Sequence, residues 1–573
     1  MKKALLCMAI LALAGIGFWL WFMWPQRQHR LVEIPPNVRW LGVGLSLEDQ
    51  DRWHDISEGS EMLPLSFLEA LKCPRTGRSF LESLAEYGFL VESQDPHQLP
   101  VGWTTEWRAV GSQKVPFVGI NCAACHSGEL RYGRNTLRID GAPNLFSLEQ
   151  FFVDLRGALT ALRNSPLEAF LFVRNVIHSH HDPKKAGEFL EVSPEALSLL
   201  HSVDTADGLD AEEAHLSEFV GAAFGKIIDE RTAATNLEFS YAGFAGGATD
   251  AKRQSAVAPP AGQSSRASRA REIISALHAY EHELERRLET FRHLADAIDA
   301  GTDLGPGRGD SFGIIRDLLF PFDPVTLDAP VSTPHLFDFR DYRFIHWDGN
   351  TTSVMDRNIA QAIALGADFD KTTFKSTVLP RNLHRLETIA LKIRPPKWPE
   401  EVLGNIDRAK AARGQPHYLR LCHECHHSEN VYPADKVGTS PLRAANLGQM
   451  VANLPFPQQL AAFASQAKFV SHKDHGITAE EAKKMERTDS PVWRSTGGYI
   501  ARPLAGAWAT APFLHNGSVP TLFDLLQPQA RRPARFPVGH REYDPVKVGF
   551  TTGHKKSGLD VRHPTQRQCQ FRP

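Results

Sequence analysis

Cysteine is scarce: the chain has seven in 573 residues. That is too few for a disulfide scaffold, and a chain of this length buries enough surface to need none. An excess of one charge is also missing. Lysine and arginine total 64 against 66 aspartates and glutamates, a net charge of −2, so there is no basic field for nucleic acid. Strand-like alternation of apolar and polar residues is rare, and the class therefore reads as mainly α. Beyond two cysteine motifs no internal repeat is evident. Disorder is excluded by the 11 Trp and 33 Phe, and the length allows two to four domains.

Long apolar runs occur in one place only. Lys2 and Lys3 precede an unbroken run from Ala4 to Trp24, which as a helix would span roughly 30 Å, the thickness of bilayer hydrocarbon. The run closes on Phe18-Trp19-Leu20-Trp21-Phe22-Met23-Trp24, an aromatic belt suited to a membrane interface. Residues 1–29 are thus expected to form an N-terminal transmembrane anchor, with the rest of the chain on the periplasmic side of the bacterial inner membrane. Ala12-Leu13-Ala14 offers the alternative of a cleaved signal peptide.

Further along, Ser147–Ala161 and Leu167–Ile177 look helical. The Ala-, Gly-, Ser- and Pro-rich stretch from about 242 to 270 reads as a flexible insertion. Leu277, Tyr280, Leu284, Leu288, Phe291, Ala295 and Ile298 recur at helical steps, predicting a long amphipathic helix. Another helix is indicated between Ile406 and Leu421, and the prolines around Leu514-His515-Asn516-Gly517 mark a defined loop.

Four of the seven cysteines fall in two copies of one motif. Cys122 and Cys125 precede His126, and Cys422 and Cys425 precede His426. In an exported chain, C-x-x-C-H attaches haem: two thiols add across its vinyl groups and the adjacent imidazole reaches the iron. Zinc is the competing reading, but each cluster supplies three ligands where a structural zinc needs four. Two covalently bound c-type haems are therefore expected, with His126 and His426 as proximal iron ligands. For the other face of the second iron the candidates are Met450, Met485, His472, His475, His515, His540 and His554. Cys73 and Cys569 remain as singletons, and sequence cannot say whether they pair.

The order Cys-x-x-Cys-His, Trp347-Asp348-Gly349, Cys-x-x-Cys-His, His515-Asn516-Gly517 resembles the di-haem cytochrome c peroxidase and MauG superfamily. Longer pieces are closer to its di-haem rubber oxygenase and lipid dioxygenase-like branch. They include Leu99-Pro100-Val101-Gly102, Gly119-Ile120-Asn121 before the first motif, Arg138-Ile139-Asp140-Gly141, Arg357-Asn358 and Trp508–Leu522. The similarity covers roughly residues 65–555 apart from the insertion. It implies two cytochrome-c-like haem domains with long loops, at 30–400 and 401–573. It also implies an N-terminal haem that uses O2 and a C-terminal haem with two His ligands, the second being His554 in Gly553-His554.

One departure from the peroxidases stands out. Their Trp-Asp-Gly is followed by a Gln and, about ten residues on, by a Glu that serves as acid and base in peroxide cleavage. Gln361 aligns with the Gln, but Lys371 stands where the Glu is expected, with Asp368 and Asp370 nearby. Phe337, Phe339, Tyr342, Phe344 and Trp347 surround the motif instead, as an apolar pocket or as plain core. Trp347, Phe337, Gln361 and His346 are the candidate catalytic residues, and His346 could equally be a ligand, a proton donor or structural. The leading expectation is an oxygenase that attacks a carbon–carbon double bond of an unsaturated lipid-like substrate with O2. The alternatives are an H2O2-reducing peroxidase fed by a small redox-protein electron donor, and a non-enzymatic electron-transfer cytochrome.

Overall fold

The computed structural model describes residues 34–93, 98–110, 113–165, 304–319, 327–427, 429–451 and 454–552, with isolated positions between 168 and 176. The expected insertion, the amphipathic helix at 277–298 and His554 all lie outside the described residues, as does the apolar run of residues 4–24. Contacts divide the chain into two compact units. One comprises 1–26, 107–115 and 157–288; the other comprises 27–106, 116–156 and 289–573 and holds nearly all that follows.

The expectation of a mainly α chain with a transmembrane anchor is corrected. Among the described residues, helices alternate with six small sheets, and no helix is long and apolar enough to cross a membrane. The inner-membrane placement that rested on such a helix is withdrawn with it. The strands escape a search for alternation because most are two or three residues long, too short to show a period of two. One of two three-stranded sheets among the described residues runs in the order Val38–Trp40, Asn135–Asp140, Ser127–Tyr132. Its first pair is parallel, with Val38 opposite Thr136. Its second is an antiparallel hairpin pairing Ser127 with Asp140. Further on, Val431–Pro433 pairs antiparallel with Gly498–Ile500, Tyr432 facing Tyr499.

Among the described residues, the two larger apolar clusters of the second unit position the site. In the first, Leu130, Leu137 and Ile139 of the hairpin pack with Phe337, Ile345, Leu386, Ile389 and Ile393. The second forms between the helices Val354–Leu365 and Phe456–Asp474. Met355, Ile359 and Ile363, one turn apart on a single face, meet Leu460, Phe463, Ala464 and Ala467. Each large side chain so buried contributes about 1.5–3 kcal/mol. Ser353 caps the first of these helices by accepting the Asp356 amide, and Gly366 ends it, so Arg357, Asn358 and Gln361 ride on a fixed rod.

Beside the hairpin, Glu129 is fully buried and accepts hydrogen bonds from Arg138 Nε at 2.9 Å and Arg131 Nη2 at 2.7 Å. Asp140, also buried, accepts from His54 Nε2 at 2.9 Å, Gln50 at 2.6 Å and Ser127 at 2.7 Å. The Arg138-Ile139-Asp140-Gly141 piece is thus occupied in holding the sheet. Cys73 is a free, buried thiol 3.2 Å from Tyr87 Oη; Cys569 lies outside the described residues.

Candidate functional site

The first cysteine motif folds as the one-turn helix Cys122–His126, and its surroundings explain why. Asn121 is the N-cap, accepting the Ala123 amide at 2.8 Å. Its Nδ2 donates to the carbonyls of Trp53 and Ile56 at 3.0 and 2.9 Å. The Gly141 amide donates to the His126 carbonyl at 2.6 Å, and Asn144 donates to the carbonyls of Ala124 and Cys125. Gly102 has φ of +75°, and a Cβ there would stand 2.1 Å from the Ala124 amide nitrogen. Only glycine lets the two backbones approach this closely.

His126 is buried, and burial lowers its pKa to about 3, the Arg357 charge adding to the effect. Its imidazole is therefore neutral, as a metal ligand must be. Nδ1 has no hydrogen-bond partner among the described residues, and the Pro334 backbone raises the pKa of the ring only in part against burial. Burial pushes the Cys122 thiol up, and the Cys125 thiol to about 12. Both are thus thiols rather than thiolates. Cys122 Sγ lies 3.5 Å from Oε2 of Glu58, a residue that nothing in the sequence pattern singles out. Glu58 is 1% exposed, its Oε1 has no hydrogen-bond partner, and burial raises its pKa to about 8.

The second motif is built differently. The helix Arg408–Tyr418 runs through a wider turn at Leu419–His423 into Glu424–His426. No residue of these three segments is buried, and only Cys422, Cys425 and His426 are even half-buried. Leu419 and Leu421 are 52% and 68% exposed. His426 Nδ1 meets the carbonyl oxygen of Arg502 at 2.7 Å. A carbonyl can only accept, so Nδ1 carries the proton and Nε2 keeps its lone pair. Metal-ligating histidines are oriented in this way. Two thiols, a lone pair and uncovered leucines side by side fit a flat apolar macrocycle with a central metal.

Residues 498–537 match the family described as RoxA-like, cytochrome c-like. A cytochrome c-like segment implies haem. Arg502, whose carbonyl receives His426, lies within it. The uncharacterized protein y4iJ of Sinorhizobium fredii (strain NBRC 101917 / NGR234) is 25% identical over 595 residues, 91% of this chain and 86% of that protein. The uncharacterized protein y4iM of the same strain is 32% identical over 246 residues, 42% of this chain and 52% of that protein. The likeness supports a haem cytochrome oxidoreductase.

The candidate catalytic residues fall into different settings. His346, at φ of +65°, has both ring nitrogens engaged. Nδ1 lies 2.8 Å from Asn350 Oδ1, and Nε2 accepts from Arg357 Nε at 3.1 Å. In this arrangement the ring offers no lone pair to iron. Burial, with the nearby arginine charges, holds its pKa well below the usual value. Trp347 donates from Nε1 to the Ser332 carbonyl at 2.7 Å and packs against Ala434, Ala444 and Tyr499. Phe337 is 1% exposed in the first core, stacked on His335 with centroids 5.2 Å apart. Gln361 is half-buried on its helix, one turn beyond Arg357.

The other aromatics around Trp-Asp-Gly do not line an open apolar pocket. Arginine covers each of them: Arg487 over Phe339, Arg502 over Tyr342 and Arg494 over Phe344, at 4.9, 4.3 and 3.9 Å from the ring centroids. Asp370 is exposed and accepts the amides of Thr372 and Thr373. It ties a surface turn and is not placed as a buried acid. His515 is buried; its carbonyl accepts from the Ser332 amide and hydroxyl, and its ring stacks on Tyr499 at 4.1 Å. Among the other candidate ligands, Met450 is exposed, Met485 is in the second core, and His475 Nε2 lies 3.0 Å from the Val378 carbonyl.

Proposed function

We propose that the chain is a di-haem c-type cytochrome oxidoreductase that uses O2 to oxygenate a carbon–carbon double bond of an unsaturated lipid-like substrate. In this reading Cys122, Cys125 and His126 hold one haem, and Cys422, Cys425 and His426 hold the other. When bound, the first haem supplies the oxygen chemistry and the second supplies electron transfer. The observation that carries the reading is the His426 Nδ1 contact with Arg502, in the segment that matches RoxA-like cytochromes. His126 stays neutral through burial. Arg357 and Asn350 immobilise His346 and engage both of its ring nitrogens. The absence of a buried carboxylate from the loop around Lys371 supports oxygenation over peroxide cleavage.

Glu58 favours a second reading. A buried carboxyl that still holds its proton near pH 7 is a proton donor, and it sits beside Cys122. On that footing the chain reduces H2O2 with electrons from a small redox protein.

Low-temperature electron paramagnetic resonance of the oxidised protein separates these readings. A high-spin signal of one haem per chain beside a low-spin signal, with O2 uptake on adding an unsaturated lipid, is the outcome for the oxygenase. Two low-spin signals, with H2O2 turnover only after reduction, would select the peroxidase. Two low-spin signals and no turnover with either oxidant would leave electron transfer alone.

A further inference from the structure

Where the Trp-Asp-Gly turn meets the short helix Leu442–Asn446, the interior holds more guanidinium than it pairs. Arg443 is 2% exposed, and neither its Nε nor its Nη1 has a hydrogen-bond partner. Its guanidinium carbon sits over the Phe312 ring, 3.6 Å from the centroid. One face of the cation is thereby covered. Among the described residues no carboxylate oxygen lies within ion-pair distance of it. Asp310 and Asp348 feel its charge, but from further off. The carboxyl of Asp310 is taken by the Gly313 and Ala329 amides, and Asp348 Oδ2 by Asn350 at 3.2 Å. Burial raises the pKa of both acids, and the Arg443 charge opposes it. Arg357 and Arg502 add two more guanidiniums close by. Both act electrostatically on His346, as Arg443 does.

An unsatisfied buried N–H costs about 1–3 kcal/mol, more on a charged group, and a buried cation without a partner is costlier still. Such a group persists when a ligand completes it. The fork of Nε and one Nη matches a carboxylate, which it binds in a bidentate manner. Phe312, Tyr499 and Trp347 nearby suit a carboxylate joined to an apolar body. We propose that Arg443 is an anion site that takes the carboxylate of an apolar ligand. Two ligands have that chemistry: the propionate of a haem held by this chain, and a free long-chain monocarboxylate. The first source rests on the haem reading above; the second does not.

The test compares the haem-loaded wild type with Arg443→Lys, which keeps the charge without the fork, and Arg443→Met, which keeps the length without the charge. Each protein is titrated for the midpoint potential of its haems and, separately, for binding of sodium oleate by calorimetry. For a propionate, Arg443→Met lowers the potential of one haem, Arg443→Lys restores most of the shift, and oleate binding is equal in all three. For a free carboxylate, oleate binds the wild type, and loss of the charge-assisted pair weakens it by about ten- to a hundred-fold in Arg443→Met, with potentials unchanged. Equal potentials and equal oleate binding in all three folded proteins would overturn the site. If Arg443→Met fails to fold, Arg443→Gln replaces it in both titrations, since it removes the same charge while keeping a polar end that can hydrogen-bond. A protein without any haem spectrum would refute the haem reading and leave the oleate comparison intact.

Discussion

The Nδ1–H of His426 donates to the main-chain carbonyl of Arg502 at 2.7 Å. The same arginine turns its buried guanidinium the other way. Its Nη2 donates to the carbonyls of Phe344 and His346 at 3.1 and 3.0 Å. His346 in turn accepts from Arg357, whose charge acts on Cys122, Cys125 and His126. One arginine therefore orients the imidazole of the second motif and clamps the strained turn that leads towards the first. The Arg502 carbonyl survives any side-chain substitution, whereas the clamp does not. On the proposed di-haem reading, Arg502→Met is expected to leave a haem ligated by His426 while broadening the electron paramagnetic resonance signal of the other haem.

Haem content gives a direct count. A pyridine haemochrome assay is expected to find two haems per chain in the wild type and one in the Cys422→Ser/Cys425→Ser double variant. One haem in both proteins would remove the second motif from the attachment reading. The Cys122→Ser/Cys125→Ser variant is the reciprocal control, and its remaining haem should be low-spin.

His346 is expected to be structural rather than a ligand, because both nitrogens are taken. His346→Asn keeps a side chain that tolerates the left-handed backbone but cannot reach Arg357. It should lower stability by about 1–3 kcal/mol through the unpartnered Arg357 N–H and leave the haem spin states unchanged. Conversion of a low-spin haem to high-spin would show that His346 binds iron after all.

Much of this site was legible one motif at a time and illegible as an assembly. Both C-x-x-C-H turns could be read, as could the helices Leu148–Asn164 and Arg408–Tyr418, because their signals are local. The contact between His426 and Arg502 joins residues 76 apart, and no spacing announces it. The aromatics near Trp347 suggested an apolar pocket for the same reason. The arginines that cover them arrive from Arg487, Arg494 and Arg502, far along the chain. No pattern around Glu58 marks it out; only the fold buries it. Strands such as Arg308–Gly309 and Val331–Ser332 are defined by their partner and have no pattern of their own.

Acid should weaken the hairpin region between pH 4.5 and about 2. Burial alone would raise Glu129, but the charges of Arg541, Arg131 and Arg138 outweigh it and bring the pKa to about 2. Burial lowers Arg541 to about 10, so it remains cationic across the acid range. A carboxylate with a depressed folded pKa stabilises above its unfolded value of 4.5. That stability is lost as pH falls from there towards 2, and it amounts to about 3 kcal/mol. Glu129→Gln should cost about 3–5 kcal/mol at pH 7 by removing the closer counter-charge of buried Arg138, whose other partner, Glu92, is partly exposed and 3.8 Å away. Thermal melts at pH 7 and pH 3 check both, since the variant should lose less on acidification than the wild type.

Glu58 makes the opposite prediction. Its folded pKa is raised to about 8 by burial, the neighbouring Glu61 adding to the effect against Cys122 and Arg357. The folded chain therefore keeps a proton that the unfolded chain releases above 4.5. Stability from this group falls as pH climbs from 4.5 through about 8, and Glu58→Gln should flatten that slope in thermal melts. Activity adds a separate test. If the carboxyl donates a proton during turnover, the rate with H2O2 should drop as pH rises through about 8. In Glu58→Gln it should be pH-independent and lower by about a hundred- to ten-thousand-fold. A variant that keeps both the rate and the fall near pH 8 would restrict Glu58 to structure, and with it would go the observation favouring the peroxidase.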